Sequence, residues 1–566
     1  MRRPFPAALW SVALLTAGLL AGCGPDSTTP TDPTTPTNPV NTYSVSGTVV
    51  LPGLPASAAS LGVVTSSAAA SVPNWSAPHV PGEVLILGSD TGTITTTLSS
   101  AGLRNVQVDA VSGSLQRVIT PSGEDDAAFA ARLAQAGLRV QPNYLYSALS
   151  VPNDPGYPSS TNAGIPIGNN AYDQDYLTRI NAQAGWDELA AAGLQPVGAV
   201  TAVLDTGIDA GHPDLQGRLL PGYDFGDNDS NPAETTSGDV GHGTESAGII
   251  GASTNNGIGL SGLTWSGQNV LPVKVFSNSG ATTAALAKGI DYAVAQGAKV
   301  INMSLGITLA QLGGTPDPAV TASIQAAVGK NVVLVAAAGN TPDEGLYFPA
   351  SDPNVLAVGA LGQSDTLACY SARPKSGQKA LDLVAPGGNA GTGTANCFSG
   401  SDYDILGLNA RSVPNGSRSQ NGYGLRAGTS ESAPQVAGAA SLLRAFRSDL
   451  SAAQIKGTLT GSAKAVAGGK LLDVGAAVRL AAALPGTSAR AYSLSVQALQ
   501  GTTVVKTFSA NGTLAAGSSS APYNVAGLSA GSYTLVASLK VSGQTYTGSS
   551  NVSVSANVAD KTIAAQ

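Results

Sequence analysis

The sequence predicts an α/β protein: a doubly wound, mostly parallel sheet, preceded by a small α/β unit and followed by an all-β sandwich. Two observations carry this. Between about 165 and 485 the continuous apolar runs "AVTAVLD", "KVINMSL", "NVVLVAAAG", "VLAVGAL" and "ALDLVAPG" alternate with helical periodicities. Strands apolar throughout are buried on both faces, as in a parallel sheet covered by helices. From 488 to 566 the pattern changes to period-2, Thr/Val/Tyr-rich runs divided by Gly/Ser turns, the pattern of a small sandwich.

Residues 1–22 read as a secretory signal, with Arg2 and Arg3, an apolar run from Ala7 to Leu20, and small residues before Cys23. The apolar run is short for a membrane span. Its end, "LAGC", resembles a bacterial lipoprotein signal, which implies a lipid on Cys23 and a membrane as partner; the alternative is an ordinary secreted protein with a cysteine at that place. Residues 23–42 alternate Thr and Pro and read as an extended tether. Residues 43–80, rich in Ala, Ser and Val, receive no assignment. In 81–150, "PGEVLIL" reads as a strand, Asp126 to Gln135 as a helix, and "LRVQPNYLYSA" as a final strand. "VPNDPGYPSS" then reads as an exposed loop of the sort that proteases nick. Within 151–486, Leu286, Ile290, Ala293 and Val294 mark one helix face, and Val320, Ile324, Ala327 and Val328 another. Pro485-Gly486 closes that domain.

Composition narrows the functional classes. The chain has 566 residues, 43% hydrophobic and 11% charged, with a net charge of −7. That is enough apolar material for several cores, and no basic face is left for nucleic acid. Three Cys and three His leave little for a Cys/His metal site. In an exported protein Cys369 and Cys397 are expected to form a disulfide.

Three local patterns carry chemistry. Asp205-Thr206-Gly207 follows the run "AVTAVL"; Gly241-His242-Gly243-Thr244 opens the helical run "ESAGII"; Gly428-Thr429-Ser430 opens a longer helix, with Pro434 in its first turn. A serine hydroxyl needs a base in hydrogen-bond reach, neutral imidazole suits that role, and a carboxylate fixes the imidazole tautomer. All three candidates stand at strand ends or helix starts, where such groups gather in open α/β sheets.

The order Asp…His…Ser, with "VLDTGID", "GHGT" and "GTSxSAP", resembles the subtilisin-like serine proteases over about 150–480. The resemblance implies a serine endopeptidase acting on polypeptides, with Asp205 as orienting carboxylate, His242 as general base and Ser430 as nucleophile. It makes Asn340 the side-chain donor of an oxyanion hole. Ser304-Leu305-Gly306 and Ser279-Gly280-Ala281 become facing edges of a peptide cleft. It also suggests a structural Ca²⁺ held by Asp214, Asn256 and the carbonyls of Thr254, Ile258 and Leu260; the alternative there is a plain Asn-Gly turn. Asp224, Asp227 and Asp229 read as a solvated acidic loop; the alternative is a second cation site. Glu245, Ser246 and Glu431 depart from the family pattern near the catalytic residues. The unit at 81–150 resembles the family's inhibitory propeptide, which implies a zymogen, self-cleavage between about Leu149 and Tyr172, and release of the catalytic part from Cys23. Two other classes compete: an adhesion protein with an inactive protease domain, and an α/β-hydrolase. The complete set Asp205, His242, Ser430 and Asn340 disfavours the first, and the position of Ser430 last in order excludes the second.

Overall fold

A computed structural model describes residues 42–53, Trp75, 79–88, 91–103, 106–112, 115–144, 151–159, 161–234, 239–388, Cys397, 403–486 and 489–566. The signal segment, Cys23 and most of the Thr/Pro tether lie outside these residues.

The central sheet is the expected one. Its strands run Lys464–Val466, Gly469–Leu471, Leu383–Pro386, Val355–Leu361, Val333–Ala337, Val300–Met303, Thr201–Asp205, Val270–Lys274 and Tyr223–Asp224. Neighbours are parallel except in the edge hairpin 464–471. Every residue of the inner strands is buried, which explains their unbroken apolar runs. Thr283–Ala295 and Pro318–Gly329 cover one face; Thr429–Phe446 covers the other, with His242–Gly251 beside it. In Pro318–Gly329 the buried stripe is Val320, Ser323, Ile324 and Ala327. Val328, expected on that face, is exposed, because it lies about 100° further round the helix than Ala327.

The strands either side of Thr201–Asp205 are Val270–Lys274 and Val300–Met303, so chain order reverses there. A crevice opens at the carboxyl ends of strands that part in this way. The strand Val270–Lys274 was not legible in the sequence. Its lysine supplies a correction: Lys274 Nζ lies 2.6 Å from Asp224 and 2.8 Å from Asp227. Asp224 and Lys274 are buried, so an ion-paired sheet edge anchors this acidic loop, while Asp227 and Asp229 are exposed as a solvated loop would have them.

The unit at 79–144 has an antiparallel sheet ordered Val108–Ser112, Leu115–Ile119, His79–Leu87, Arg139–Tyr144, with helices Thr91–Ser100 and Asp126–Gln135 over it. Thr91–Ser100 is the unexpected element. Its Thr95, Thr96, Thr97 and Ser100 hydroxyls donate back to carbonyls one turn earlier. Burial of Ile94 and Leu98 in the unit's core overrides the weak helix propensity of threonine.

The segment expected as a protease-sensitive loop is also different. Pro152, Asp154, Gly156 and Tyr157 are buried in the peptidase domain. The Asp154 carboxylate accepts from Asn255 N at 2.8 Å, Asn256 N at 2.9 Å and Ser261 Oγ at 2.6 Å. A cut C-terminal to Asp154 would part it from the chain whose loop it holds.

The C-terminal region has one antiparallel sheet of Thr503–Leu514, Arg490–Gln500, Gly531–Val541 and Gln544–Val554. A second sheet contains Ser520–Leu528 and Val558–Ala564, and between them lies Tyr43–Val50, from the segment left unassigned above. The two sheets share one core, which also takes Ala482 and Ala483. Tyr546 Oη donates to Arg479 O at 2.6 Å and Gln544 Nε2 to Glu188 O at 2.8 Å, fastening the two domains. Cys369 and Cys397 are joined as a disulfide spanning 28 residues, which contributes about 3–4 kcal/mol by the chain-entropy argument.

Candidate active site

Asp205 ends its strand and is 1% exposed. Its carboxylate accepts from Thr206 N at 2.8 Å, His242 Nδ1 at 2.6 Å and Ser246 Oγ at 3.2 Å. With Nδ1–H on the carboxylate, the neutral ring keeps its free lone pair on Nε2, as a general base requires. His242 begins the helix His242–Gly251 after Gly241, whose φ is 95°. A Cβ on Gly241 would lie 1.7 Å from Asn409 Oδ1, so glycine is needed there for both backbone and space.

Ser430 stands in the first turn of Thr429–Phe446. Its Oγ donates to Ser304 O at 3.1 Å, while Ser304 Oγ donates to Ser430 O at 2.9 Å. Pro434 lies deeper in this helix than its expected first-turn position. A proline there removes the N–H that would bond the carbonyl of residue 430, and the Ser304 hydroxyl fills that vacancy. Asn302 Nδ2 in turn donates to Ser304 Oγ at 3.0 Å.

Asn340 follows the strand Val333–Ala337. Its Oδ1 accepts from Thr429 N and Thr429 Oγ1, both at 2.9 Å. These two donors fix which way the amide faces, leaving its NH₂ for another acceptor. Asn340, His242 and Ser430 line one cavity of ≈ 360 Å³, whose other walls include Asp239, Asp404, Arg418, Arg426 and Glu431. The two cleft edges expected from sequence follow the strands flanking Asp205. Gly280–Ala281 pairs with Phe276–Ser277 in a small hairpin, and Ser304, Leu305 and Gly306 continue from Val300–Met303. Sheet order thus sets them on opposite sides of the crevice.

Several residues that hold this arrangement have no role legible in the sequence. Ser246 supports Asp205, Thr429 orients Asn340, and half-buried Glu234 accepts from Thr244 N at 3.0 Å and from the Thr206 hydroxyl. Each contact spans 10 to 89 residues, so no local motif announces it.

Around the suspected cation loop, Asp214 is fully buried. Its Oδ2 accepts from Leu260 N at 3.0 Å, and its buried Oδ1 has no hydrogen-bond partner. Burial, opposed in part by the Leu260 N–H and reinforced by Asp154, pushes its pKa up to about 7. Asn256 Oδ1 accepts from Ile258 N at 3.0 Å. Asp154, which sequence reasoning placed in a cleavable loop, reaches the same loop from its other side. Thr254 donates its hydroxyl to Gly262 O at 3.0 Å. An unpartnered buried carboxylate oxygen beside a second buried acid and an amide oxygen is a donor set that suits a hard, oxygen-seeking cation. Among the described residues no group of three or more His, Cys, Asp or Glu gathers into a metal cluster. His212 is structural: its Nε2 donates to Gly422 O at 2.9 Å and its Nδ1 accepts from Asp214 N at 3.2 Å.

Residues 197–478 match the Subtilase family. The chain is 34% identical over 291 residues to thermitase of Thermoactinomyces vulgaris, covering 51% of this chain and 88% of thermitase. The chain belongs to the subtilase family. It is, by class, a serine endopeptidase. A thermophilic serine proteinase of Bacillus sp. (strain AK1) is 35% identical over 305 residues, 54% of this chain and 62% of that protein. A solved protease structure from Pseudoalteromonas arctica covers 59% of this chain and 100% of its own at 28% identity and a TM-score of 0.46.

This subtilase surrounds its histidine with acids. Arg426 Nε lies 3.0 Å from Glu245 Oε2 and also pairs with Asp239. Burial opposes charge on His242, but Asp205, Asp239 and Glu431 outweigh it and raise its pKa above the ordinary imidazole value. Burial raises the carboxyls of Glu245 and Glu431 in turn. A negative neighbour stabilises imidazolium, so removing one lowers the histidine pKa. If His242 works as a base, kcat/KM should rise with pH as the ring loses its proton. Asp239→Asn should move that rise to lower pH, more clearly at low salt because Asp239 is partly exposed. A pH profile that is unchanged by the substitution would remove Asp239 from the field at His242.

Proposed function

We propose that this subtilase is an exported endopeptidase that cleaves polypeptides through Asp205, His242 and Ser430, with Asn340 in the oxyanion hole. The observation that carries the reading is the 2.6 Å Asp205–His242 contact, on a cavity that His242 shares with Ser430 and Asn340. Ser430 rotates its hydroxyl from Ser304 O toward His242 Nε2. Its Oγ then attacks the substrate carbonyl carbon as the proton passes to the imidazole. The negative oxygen of the tetrahedral intermediate meets the Asn340 amide and the Ser430 N–H, a first-turn donor with no intrahelical acceptor. Imidazolium returns the proton to the leaving amine, and water hydrolyses the acyl-enzyme by the same relay. A fluorophosphonate probe should label wild type and fail to label Ser430→Ala; equal labelling of both would place the nucleophile elsewhere.

The 79–144 unit acts, in this proposal, as a propeptide that inhibits until the chain is cut on the N-terminal side of Val151. That position leaves Asp154 on the same chain as the loop it holds. Cys23 carries a lipid that holds the protein at a membrane. No helix among the described residues is long and apolar enough to cross one.

Asp214 and Asn256, with Asp154 across the loop, would hold a Ca²⁺ whose role is structural. A ligand bound only to the native state stabilises it by mass action. EGTA should therefore lower the temperature of inactivation of wild type, and Asp214→Ala should abolish that difference. Equal inactivation temperatures for wild type with and without EGTA would remove the site.

A further inference from the structure

The strand Tyr43–Val50 precedes the 79–144 unit in sequence, yet it is the middle strand of a sheet in the C-terminal domain. It runs antiparallel to Ser520–Leu528 and parallel to Val558–Ala564, with ladder pairing along both edges. Alternate residues face inward: Val45, Val49 and Leu51 are buried in the core shared by the two C-terminal sheets. Gly47 is on the same side of the strand, where a Cβ would lie 1.9 Å from Lys561 O, so the strand fits its neighbour only with glycine at that point. The ends are tied as well. Ser44 N donates to Asn557 Oδ1 at 2.8 Å, Leu51 N to Ser519 O at 2.8 Å, and Ala565 N to Val50 O at 2.9 Å.

None of these contacts uses the backbone connection through residues 54–150. We propose that the face between Ser520–Leu528 and Val558–Ala564 is a binding surface for the chain's own N-terminal segment, and that it keeps hold of that segment after the chain is cut. A middle strand cannot leave as an edge strand can. Its departure would unpair both neighbours at once and open the core around Ala521, Val525 and Ile563 to water. The cut protein is then a two-chain assembly, and whatever is attached ahead of Tyr43 stays with the peptidase domain. A lipid on Cys23 would go on anchoring the enzyme, contrary to the release that the sequence suggested.

The helix Asp126–Gln135 rests against Thr503–Leu514, so the 79–144 unit is a second possible tie, and the test must separate the two. Recognition sequences for a site-specific protease are inserted between residues 144 and 151 and between 53 and 79 of full-length Ser430→Ala. This makes the experiment independent of self-cleavage and of the propeptide reading. After both cuts, gel filtration in native buffer should show the peptide carrying Tyr43–Val50 eluting one-to-one with the 151–566 fragment, whether or not the 79–144 unit remains. Denaturant should then separate them. Elution of that peptide apart from 151–566 in native buffer would overturn the proposal. Hydrogen exchange gives a reading that needs no variant of the strand: amides of Ser520–Leu528 and Val558–Ala564 should stay as protected after cutting as before. Loss of protection on both strands would equally overturn it. Val49→Asp, which puts a carboxylate into the core, should release the peptide on cutting, and full retention would show that something other than this strand holds it.

Discussion

Ser430→Ala and His242→Ala should each lower kcat by about 10⁶-fold, and the double variant should be no slower than either; this magnitude is one measured in a subtilisin. In the proposed mechanism the two side chains make one nucleophile between them. Without His242, the Ser430 hydroxyl keeps its proton on Ser304 O and is a weak attacking group. Without Ser430, the imidazole has nothing to activate. What remains, about 10³–10⁴ over water, comes from the oxyanion hole and from binding. Asp205→Asn should cost less, about 10⁴-fold. Ser246 can still donate to the amide oxygen, but an NH₂ turned toward Nδ1 stabilises the wrong tautomer and gives up the bond from Thr206 N. Single-turnover kinetics on a peptide substrate measure all four rates. Losses that add in the double variant would mean that Ser430 and His242 act in separate steps.

The parts of the fold legible in sequence were those in which one physical cause dominates locally. Thr201–Asp205, Val300–Met303 and Val333–Ala337 are buried on both faces, and apolar residues fill most of their positions. Val270–Lys274 breaks that rule with Pro272 and Lys274. A proline and a lysine argue against a buried strand, and only Asp224 and Asp227, some 50 residues away, make the lysine acceptable. Tyr43–Val50 does carry the alternation Val-x-Gly-x-Val-x-Leu with Leu51. It went unread because its partners lie at the far end of the chain and because the residues after it are rich in Ala and Ser. Thr91–Ser100 failed for the opposite reason: its local propensity is misleading, and burial of Ile94 and Leu98 decides. The catalytic candidates were legible because each sits in a short motif with a glycine beside a strand end or a helix start. Their supports, Ser246, Thr429 and Glu234, were not, since each touches its partner only once the sheet has formed. At Asp154 composition and structure part most clearly. "NDPG" has the composition of a flexible turn, and only the fold shows its carboxylate gathering the N–H groups of the 255–257 loop.

Asn340→Ala should lower kcat by about 10²–10³-fold while changing KM little, again a magnitude known from a subtilisin. The reason lies in when the charge appears. The substrate carbonyl is nearly neutral in the bound complex and becomes an oxyanion only as Ser430 adds to it. A donor aimed at that later position stabilises the transition state more than the ground state, so its loss falls on kcat. Here the amide is positioned before substrate arrives, because Thr429 N and Thr429 Oγ1 both hold Asn340 Oδ1 at 2.9 Å. Thr429→Val removes one of these holds and keeps the backbone one, so it should lose activity in the same sense but by less. Asn340→Asp should be at least as damaging as the alanine variant, since an acceptor would then face the oxyanion. Steady-state kinetics on one peptide substrate across the three variants decide the matter. If the Asn340→Ala loss fell on KM with kcat intact, Asn340 would be a substrate contact made equally before and during reaction. The oxyanion would then need another donor.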